Sequence, residues 1–253
     1  MMIKDWVAWS VNTYRYAGIF CIGAFWLVLL PVATEAFQHV VEYRLGMFDP
    51  DDGVSAGAET NIRLAAGIVK ALSIVGIALI LPRYFLFERD LAKAFAFSPR
   101  ARSALWKMVA TFVVLFAFIF FVAPILIDLF VAPNVQINAR ILPFVPLIMG
   151  IAIFMPIQAR YVGIVAAIFD QPAMTGKERR TFNHLLNTRL PLTAITTFLP
   201  IVALHYWLNI SAIGQDGALL FIILAADSLL VGFLATILGA LTYIPYVQTK
   251  KSS

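Results

Sequence analysis

The sequence is poor in charge. Asp, Glu, Lys and Arg together make up 13% of its 253 residues, whereas 61% are hydrophobic. A soluble domain has about 25% charged residues, which it needs to cover its apolar core with a polar surface. The low charge therefore excludes a soluble globular enzyme and a disordered chain. The single cysteine, Cys21, leaves no intramolecular disulfide and no multi-cysteine metal site. These absences leave a helical integral membrane protein.

Catalytic motifs are missing as well. The sequence has no HExxH, no GxSxG and no phosphate-binding glycine loop. Its three histidines, His39, His184 and His205, are spread along the chain and do not indicate a nucleophile–base pair. We therefore expect no enzyme activity and no cofactor. A metal-dependent membrane enzyme is kept as the third function class.

Six apolar stretches are long enough to cross a membrane, for which a helix needs about 20 residues because lipid offers the backbone no hydrogen-bond partners. They cover about 16–39, 62–82, 108–131, 141–166, 190–207 and 218–243. The sequence thus predicts an all-α, polytopic fold of six transmembrane helices. The whole chain, 1–253, is predicted to form one integral membrane domain.

The basic residues predict the topology. With both termini in the cytoplasm, the inner segments carry fifteen of the nineteen Lys and Arg residues. The outer segments carry only Arg44, Arg63 and Arg140, and Lys70 lies within a span. Positive charge is retained on the cytoplasmic side, so we expect an N-in, C-in protein of the bacterial inner membrane. Because this bias accounts for the net charge of +5, no nucleic-acid partner is expected.

A parallel two-helix repeat is predicted at an offset of 77 positions, with helices 2–3 repeated as helices 4–5. Each unit starts with Asn-x-Arg, and Arg-Tyr follows at the inner end of the span. The matched residues are Asn61, Arg63, Arg83, Tyr84, Arg102 and Thr111 with Asn138, Arg140, Arg160, Tyr161, Arg179 and Thr188. Shared membrane chemistry is the alternative explanation, because Arg and Tyr both suit an interfacial helix end.

The inner connectors combine cations with aromatic residues or helix-start signals. The segment 83–106 is interrupted at Ser98-Pro99, and Thr175 precedes Glu178 as a predicted helix cap. Anionic lipid at the inner face is the expected partner, with a protein docked on the helices or connectors as the other option. The predicted head-group contacts are Arg83, Arg89, Lys93, Arg100, Arg102 and Arg160.

Ionisable residues within or beside the spans are costly and form the candidate site. They are Glu35, His39, Glu42, Lys70, Asp128, His205 and Asp227. The first three share one face of a helix by their spacing. Three interpretations stay open: structural charge pairs, with Asp227 first and Glu35 second as partner of Lys70; a proton or substrate path; and a metal site on Glu35, His39 and Glu42.

Arg-Tyr at an inner helix end, followed by a Pro- and Thr-containing connector, resembles a known group of proteins. The last span, SLLVGFLATILGALTYIPYV, is also similar to the closing helix of that group. Residues 142–247 resemble six-helix bacterial membrane proteins related to the membrane domain of glycerophosphoryl diester phosphodiesterases. The resemblance implies a non-enzymatic membrane module without catalytic residues in this region.

The function expected first is that of a non-catalytic membrane accessory, scaffold or assembly protein that contacts partner proteins and lipids. The sequence favours it because no concentrated polar site is evident and the helices are rich in Phe. The alternative is a small transporter or permeation module for a lipid, ion or small amphiphile, which would use the polar residues of the outer half.

Overall fold

The computed structural model describes residues 2–50, 61–117 and 164–251. Within these ranges every regular element is a helix and no strand occurs. The helices are α1 (Met2–Gly23), α2 (Phe25–Arg44), α3 (Asn61–Leu86), α4 (Leu91–Phe95), α5 (Pro99–Ala117), α6 (Gly176–Thr188), α7 (Leu190–Ala212) and α8 (Gly217–Lys251). The prediction of an all-helical chain is confirmed for the described residues.

Three of these helices, α3, α7 and α8, are long and apolar enough to cross a membrane, and α1 with α2 makes a fourth if the pair is one broken span. The chain is therefore a helical membrane protein with three to four candidate spans in its described part. Residues 141–163 of the predicted span 141–166 and residues 118–131 of the span 108–131 lie outside the described residues. So do Asn138, Arg140, Arg160 and Tyr161 of the predicted repeat.

The chain divides into two compact units, which we describe separately. The first comprises residues 1–96 and 184–253, and the second comprises residues 97–183. The first unit contains α1 to α4, α7 and α8.

Helix α8 is the central element of the first unit and packs against α1, α2, α3 and α7. Its 35 residues give it a length of about 52 Å. Small residues let neighbouring backbones approach it, as is usual between membrane helices. A Cβ on Gly239 would lie 2.8 Å from the Cβ of Leu81 and 3.2 Å from the Ala78 carbonyl oxygen of α3. Gly232 makes a similar close contact with Val28 and Val32 of α2.

The predicted first span, 16–39, is not one continuous helix. Helices α1 and α2 meet at Ala24 with a bend of 96°. Gly23 ends α1 beside the Tyr84 hydroxyl of α3, which occupies the space that a Cβ at this position would need. The hydrophobic pattern could not reveal this break, because the residues on both sides of it are apolar and the side chain that packs beside it belongs to another helix.

Aromatic rings fill the part of the first unit beside the bend. Tyr16 packs edge-on against Phe85 and Tyr243, each with ring centroids 5.0 Å apart, and Phe20 packs on Tyr84 at 5.3 Å. We call these five residues the aromatic cluster. Edge-to-face pairs of this kind add about 0.5–1.5 kcal/mol each beyond their area burial.

The second unit confirms two predictions about the connectors. Helix α5 starts at Pro99, directly after the predicted interruption, and the Ser98 backbone N–H donates to the Asp170 carboxylate. At the start of α6 the Glu178 N–H donates to the Thr175 hydroxyl at 3.2 Å, and the Thr175 N–H donates to the Glu178 carboxylate at 2.6 Å. This reciprocal pair is the predicted cap in the form of a capping box.

Candidate cation site

Six of the seven predicted polar residues converge in the first unit, between α2, α3, α7 and α8. We call this set the polar cluster: Glu35, His39, Glu42, Lys70, His205 and Asp227. The seventh, Asp128, lies outside the described residues. The cluster is well buried, and Glu35, His39, Glu42 and Asp227 expose 4% or less of their surface.

His39 is at the centre of the polar cluster. Its Nδ1 lies 3.2 Å from Glu42 Oε2, and its Nε2 lies 3.0 Å from Asp227 Oδ2 and 3.5 Å from Glu35 Oε1. A neutral imidazole carries one proton, so it donates from one nitrogen and presents a lone pair at the other. When Nδ1–H donates to Glu42, the lone pair of Nε2 faces two carboxylate oxygens. Such an arrangement is repulsive until a second ring proton or a metal cation comes between them.

Asp227 is held by both imidazoles and by an amide. Its Oδ1 lies 2.6 Å from His205 Nδ1, and its Oδ2 accepts a hydrogen bond of 2.8 Å from Asn209 Nδ2. His205 and Asn209 are four residues apart on α7 and so share one face of that helix. Asp227 therefore joins α2, α7 and α8 at a point with no exposure to solvent.

The partner of Lys70 is Glu35, and the expectation that named Asp227 first is wrong. Lys70 Nζ lies 2.8 Å from Glu35 Oε2. Depth along the chain suggested Asp227, but depth does not determine which face of a helix a residue occupies. Asp227 faces α2 and α7, where His39 and His205 surround it.

Glu42 receives three donors. Gln38 Nε2 donates to its Oε1 at 2.8 Å, Arg63 Nε donates to the same oxygen at 3.0 Å, and His39 Nδ1 lies beside its Oε2. A buried carboxylate needs such a set, because an unpaired buried charge is very costly. Glu42 thereby also orients the His39 ring.

Sequence reasoning missed the two amides of the site, Gln38 and Asn209. A signal for both was present: Gln38 is four residues before Glu42, and Asn209 is four residues after His205, so each shares a helix face with a predicted site residue. Burial of an ionisable residue is costlier than that of an uncharged amide, and a search limited to ionisable residues therefore passes over both.

The charge of the site depends on His39. Three carboxylates face two permanent cations, Arg63 and Lys70, which leaves one excess negative charge when both histidines are neutral and none when the His39 ring carries a second proton. A monovalent cation would neutralise this excess, and a divalent cation would reverse its sign.

Glu35, His39 and Asp227 can supply one metal ligand atom each, and these atoms all lie within 4.8 Å of one another. The predicted metal set had Glu42 in place of Asp227. In the structure Glu42 lies on the other nitrogen of His39 and holds the ring instead. Two atoms that bind one metal tetrahedrally at about 2.0–2.1 Å are separated by about 3.3 Å. The two distances from His39 Nε2, 3.0 and 3.5 Å, lie on either side of this value.

A pocket of about 420 Å³ lies next to the cluster, at the end of the bundle where α2 ends. Asp49, Asp216 and Phe48 are among its lining residues. The Phe48 ring lies 6.3 Å from the His39 ring between centroids, so the same side chain contacts the pocket and the cluster. The acidic lining attracts cations to this mouth.

The predicted head-group contacts divide into two kinds. Arg83 is fully buried and donates to the backbone carbonyls of Lys93, Ala94 and Ala96, at the end of α4. Its assignment to lipid is wrong, because the guanidinium is used inside the protein. Four of the predicted contacts are exposed cations: Arg89, Lys93, Arg100 and Arg102. Arg160 lies outside the described residues.

Helix α4, which carries Lys93, is fixed at its start by Asp90. The Lys93 backbone N–H donates to the Asp90 carboxylate at 3.1 Å, and this bond holds the pKa of Asp90 below its usual range. The Lys93 ammonium adds an exposed ion pair of 3.3 Å to the same carboxylate.

No protein-family model, curated protein or solved structure matches this chain. The resemblance to the phosphodiesterase-related membrane domain stays a prediction. The site itself, described residue by residue, is what supports a function.

Proposed function

We propose that this protein is a small membrane carrier for a divalent transition-metal cation, and that the polar cluster is its binding site. The observation that carries the proposal is the convergence of three buried ligand atoms, one each from His39, Asp227 and Glu35, within 4.8 Å of one another. Such a group is stabilised when a cation occupies the space between the three atoms.

The ligand chemistry favours a transition metal over Mg²⁺ or Ca²⁺, which prefer oxygen ligands alone. An imidazole with two carboxylates suits Zn²⁺, Mn²⁺ or Fe²⁺. Glu42 also supports the assignment, because metal-binding histidines commonly donate their second N–H to a carboxylate. Asn209 and His205 orient Asp227, and Lys70 orients Glu35, so each of the three ligands has an outer partner.

Access and closure support a carrier rather than an open channel. The acidic pocket leads to Phe48 on one side of the cluster. On the other side α8 packs tightly on α2 at Gly232 and on α3 at Gly239. Passage therefore requires the helices to move, and the bend at Ala24, between α1 and α2, provides a hinge position near this closure.

The scaffold function expected from the sequence depended on the absence of a concentrated polar site. The six clustered residues remove that premise, and they favour the transport alternative for an ion. No catalytic motif accompanies the cluster in the sequence, so we do not propose an enzyme.

Uptake of Zn²⁺ into proteoliposomes that contain a zinc-sensitive dye tests the proposal. We expect uptake by the wild-type protein, loss of uptake with His39→Gln, and unchanged uptake with His184→Gln. His184 is a matched control because it is exposed on α6. Fluorescence size-exclusion chromatography checks that each variant is folded. Wild-type uptake no faster than in empty liposomes would contradict the carrier, and so would full uptake by folded His39→Gln.

We also propose the six-span, N-in, C-in arrangement in the bacterial inner membrane, with the polar cluster in its outer half. Cysteines at Asp216 and Glu88, in a Cys21→Ser background, should be labelled from opposite sides of the membrane. Labelling of both from one side would reject this topology.

For the inner face we propose that Arg89, Lys93, Arg100 and Arg102 contact anionic head groups, each with a contribution of about 1 kcal/mol. Replacement of Arg89 and Lys93 by Glu should reduce the acidic lipid that is retained on purification. Unchanged retention would favour a docked protein partner instead.

A further inference from the structure

We propose that Lys70 is an internal counter-ion that moves from Glu35 to Gln38 when a divalent cation enters the site. This exchange rests on the proposed carrier function and makes the site respond to the charge of its cargo. Lys70 is then a positioning residue that changes partner according to the charge of the bound cation.

The first position of the ammonium is the one in the structure. Lys70 Nζ lies 2.8 Å from Glu35 Oε2, on the carboxylate whose other oxygen faces His39. The Lys70 side chain is 19% exposed, whereas that of Glu35 is 1% exposed. The ammonium therefore reaches the site from its margin and is not enclosed in it.

The second position is an acceptor that has no donor. Gln38 is 8% exposed, and its Oε1 has no hydrogen-bond partner within the described residues. The amide cannot be reversed to solve this, because its Nε2 already donates to the Glu42 carboxylate at 2.8 Å. A buried polar atom without a partner is destabilising. Such an orphan at a polar site indicates a partner that arrives in another state.

The exchange requires Gln38 Oε1 to be within reach of the Lys70 side chain, and the helix positions support this. Gln38 and Glu35 are three residues apart on α2, where neighbouring Cβ atoms are about 5–6 Å from each other. Gly67, three residues before Lys70 on α3, faces this oxygen, and even a Cβ there would lie 3.9 Å from it. The glycine leaves a free path for the four-carbon side chain of Lys70.

The charge of the cargo supplies the driving force. The cluster carries one excess negative charge when its histidines are neutral. A monovalent cation neutralises it and leaves Lys70 in place. A divalent cation makes it positive by one, and the repulsion between metal and ammonium then moves Lys70 to the neutral Gln38 oxygen. The exchange replaces an ion pair between α2 and α3 by a hydrogen bond between the same two helices.

A double-mutant cycle tests the exchange. Zn²⁺ binding is measured by isothermal titration calorimetry on the full chain in nanodiscs, for the wild type, Lys70→Met, Gln38→Met and the double variant. We expect Lys70→Met to bind about tenfold more tightly and Gln38→Met about tenfold more weakly. The double variant should match Lys70→Met, because an acceptor for Lys70 has no effect once Lys70 is absent.

The outcomes separate the exchange from the carrier. If Gln38→Met weakens binding equally with and without Lys70, Gln38 acts through Glu42 and the exchange is wrong, while the metal site stands. If the wild type does not bind Zn²⁺, the proposed function itself fails. Lys70→Gln replaces Lys70→Met if the latter does not fold, and it should also tighten binding. Weaker or unchanged binding in both folded Lys70 variants would overturn the exchange.

Discussion

The two halves of α8 pack against side chains of different chemistry. Its N-terminal half carries Asp227 into a cluster of imidazoles, carboxylates and cations, whereas its C-terminal half carries Gly239 and Tyr243 into close-packed apolar and aromatic surroundings. The stability of the N-terminal half depends on the pairing of its buried charges. The stability of the C-terminal half depends on the steric fit between its side chains and those of the neighbouring helices. The comparison indicates that substitutions in the two halves should fail for different physical reasons.

The largest effect is expected where one member of a buried ion pair is removed. Lys70→Met should lower the free energy of unfolding by about 3–5 kcal/mol in EDTA, because it leaves the Glu35 charge unpaired. Lys70→Met with Glu35→Gln should recover most of this loss, measured by thermal unfolding in detergent. Lys70→Met with Asp227→Asn should recover little, and a recovery there would restore the pairing expected from the sequence.

Zn²⁺ should stabilise the folded protein through the polar cluster beside the N-terminal half of α8. At a Zn²⁺ concentration of 100 times its Kd, a ligand that binds only the folded state adds about 2.7 kcal/mol. This stabilisation should raise the Tm of the wild type. We expect the rise in Tm to disappear with EDTA and to be absent in His39→Gln. The His184→Gln control should show the full rise. An equal rise in His39→Gln would mean that the metal binds elsewhere.

Overpacking should destabilise the packing of the C-terminal half of α8. Gly239→Val places atoms against Leu81 and the Ala78 backbone of α3 and should cost about 1–3 kcal/mol. Gly76→Val is the matched control, since no atom lies within 4 Å of a Cβ at that position. Zn²⁺ should raise the Tm of Gly239→Val by as much as that of the wild type. A similar loss in both glycine variants would show that helix propensity and not packing is responsible.

The smallest effect is expected at the border of the polar half. Ser73 Oγ lies 2.9 Å from Thr34 Oγ1 and donates to the Lys70 carbonyl at 2.7 Å, which ties α2 to α3 one turn from Lys70. Ser73→Ala should cost about 1 kcal/mol, the usual contribution of such a hydrogen bond. Ser103→Ala, at an exposed position on α5, should have no measurable effect. A Tm equal to that of the wild type in Ser73→Ala would show that this border does not contribute.

The relations between site residues on the same helix were predictable from their spacing in the sequence. Glu35, His39 and Glu42 were expected to act together because their spacing places them on one helix face, and they do. The capping box at Thr175 was predictable for the same reason, since both of its residues belong to one turn. Local periodicity determines such relations before any tertiary contact forms.

Relations between helices were predicted less well. Lys70 was paired first with Asp227 by depth, and Arg83 was given to lipid because it stands at a helix end with a tyrosine beside it. Both errors have one cause. Position along a span gives a depth, but the partner of a long side chain depends on the rotation of each helix about its axis.

The sequence by itself determined the class of the protein, since 61% hydrophobic and 13% charged residues leave no other way to satisfy backbone and surface than apolar helices in a membrane. It also determined which residues are too costly to bury without a purpose. Only the tertiary structure decided that Asp227 and not Glu42 joins Glu35 and His39 in a group of three converging ligand atoms, and that Gln38 Oε1 has no hydrogen-bond partner within the described residues. The physical reason is that Coulomb and hydrogen-bond energies depend on distances of a few ångströms between atoms far apart in the chain, which helix packing alone sets.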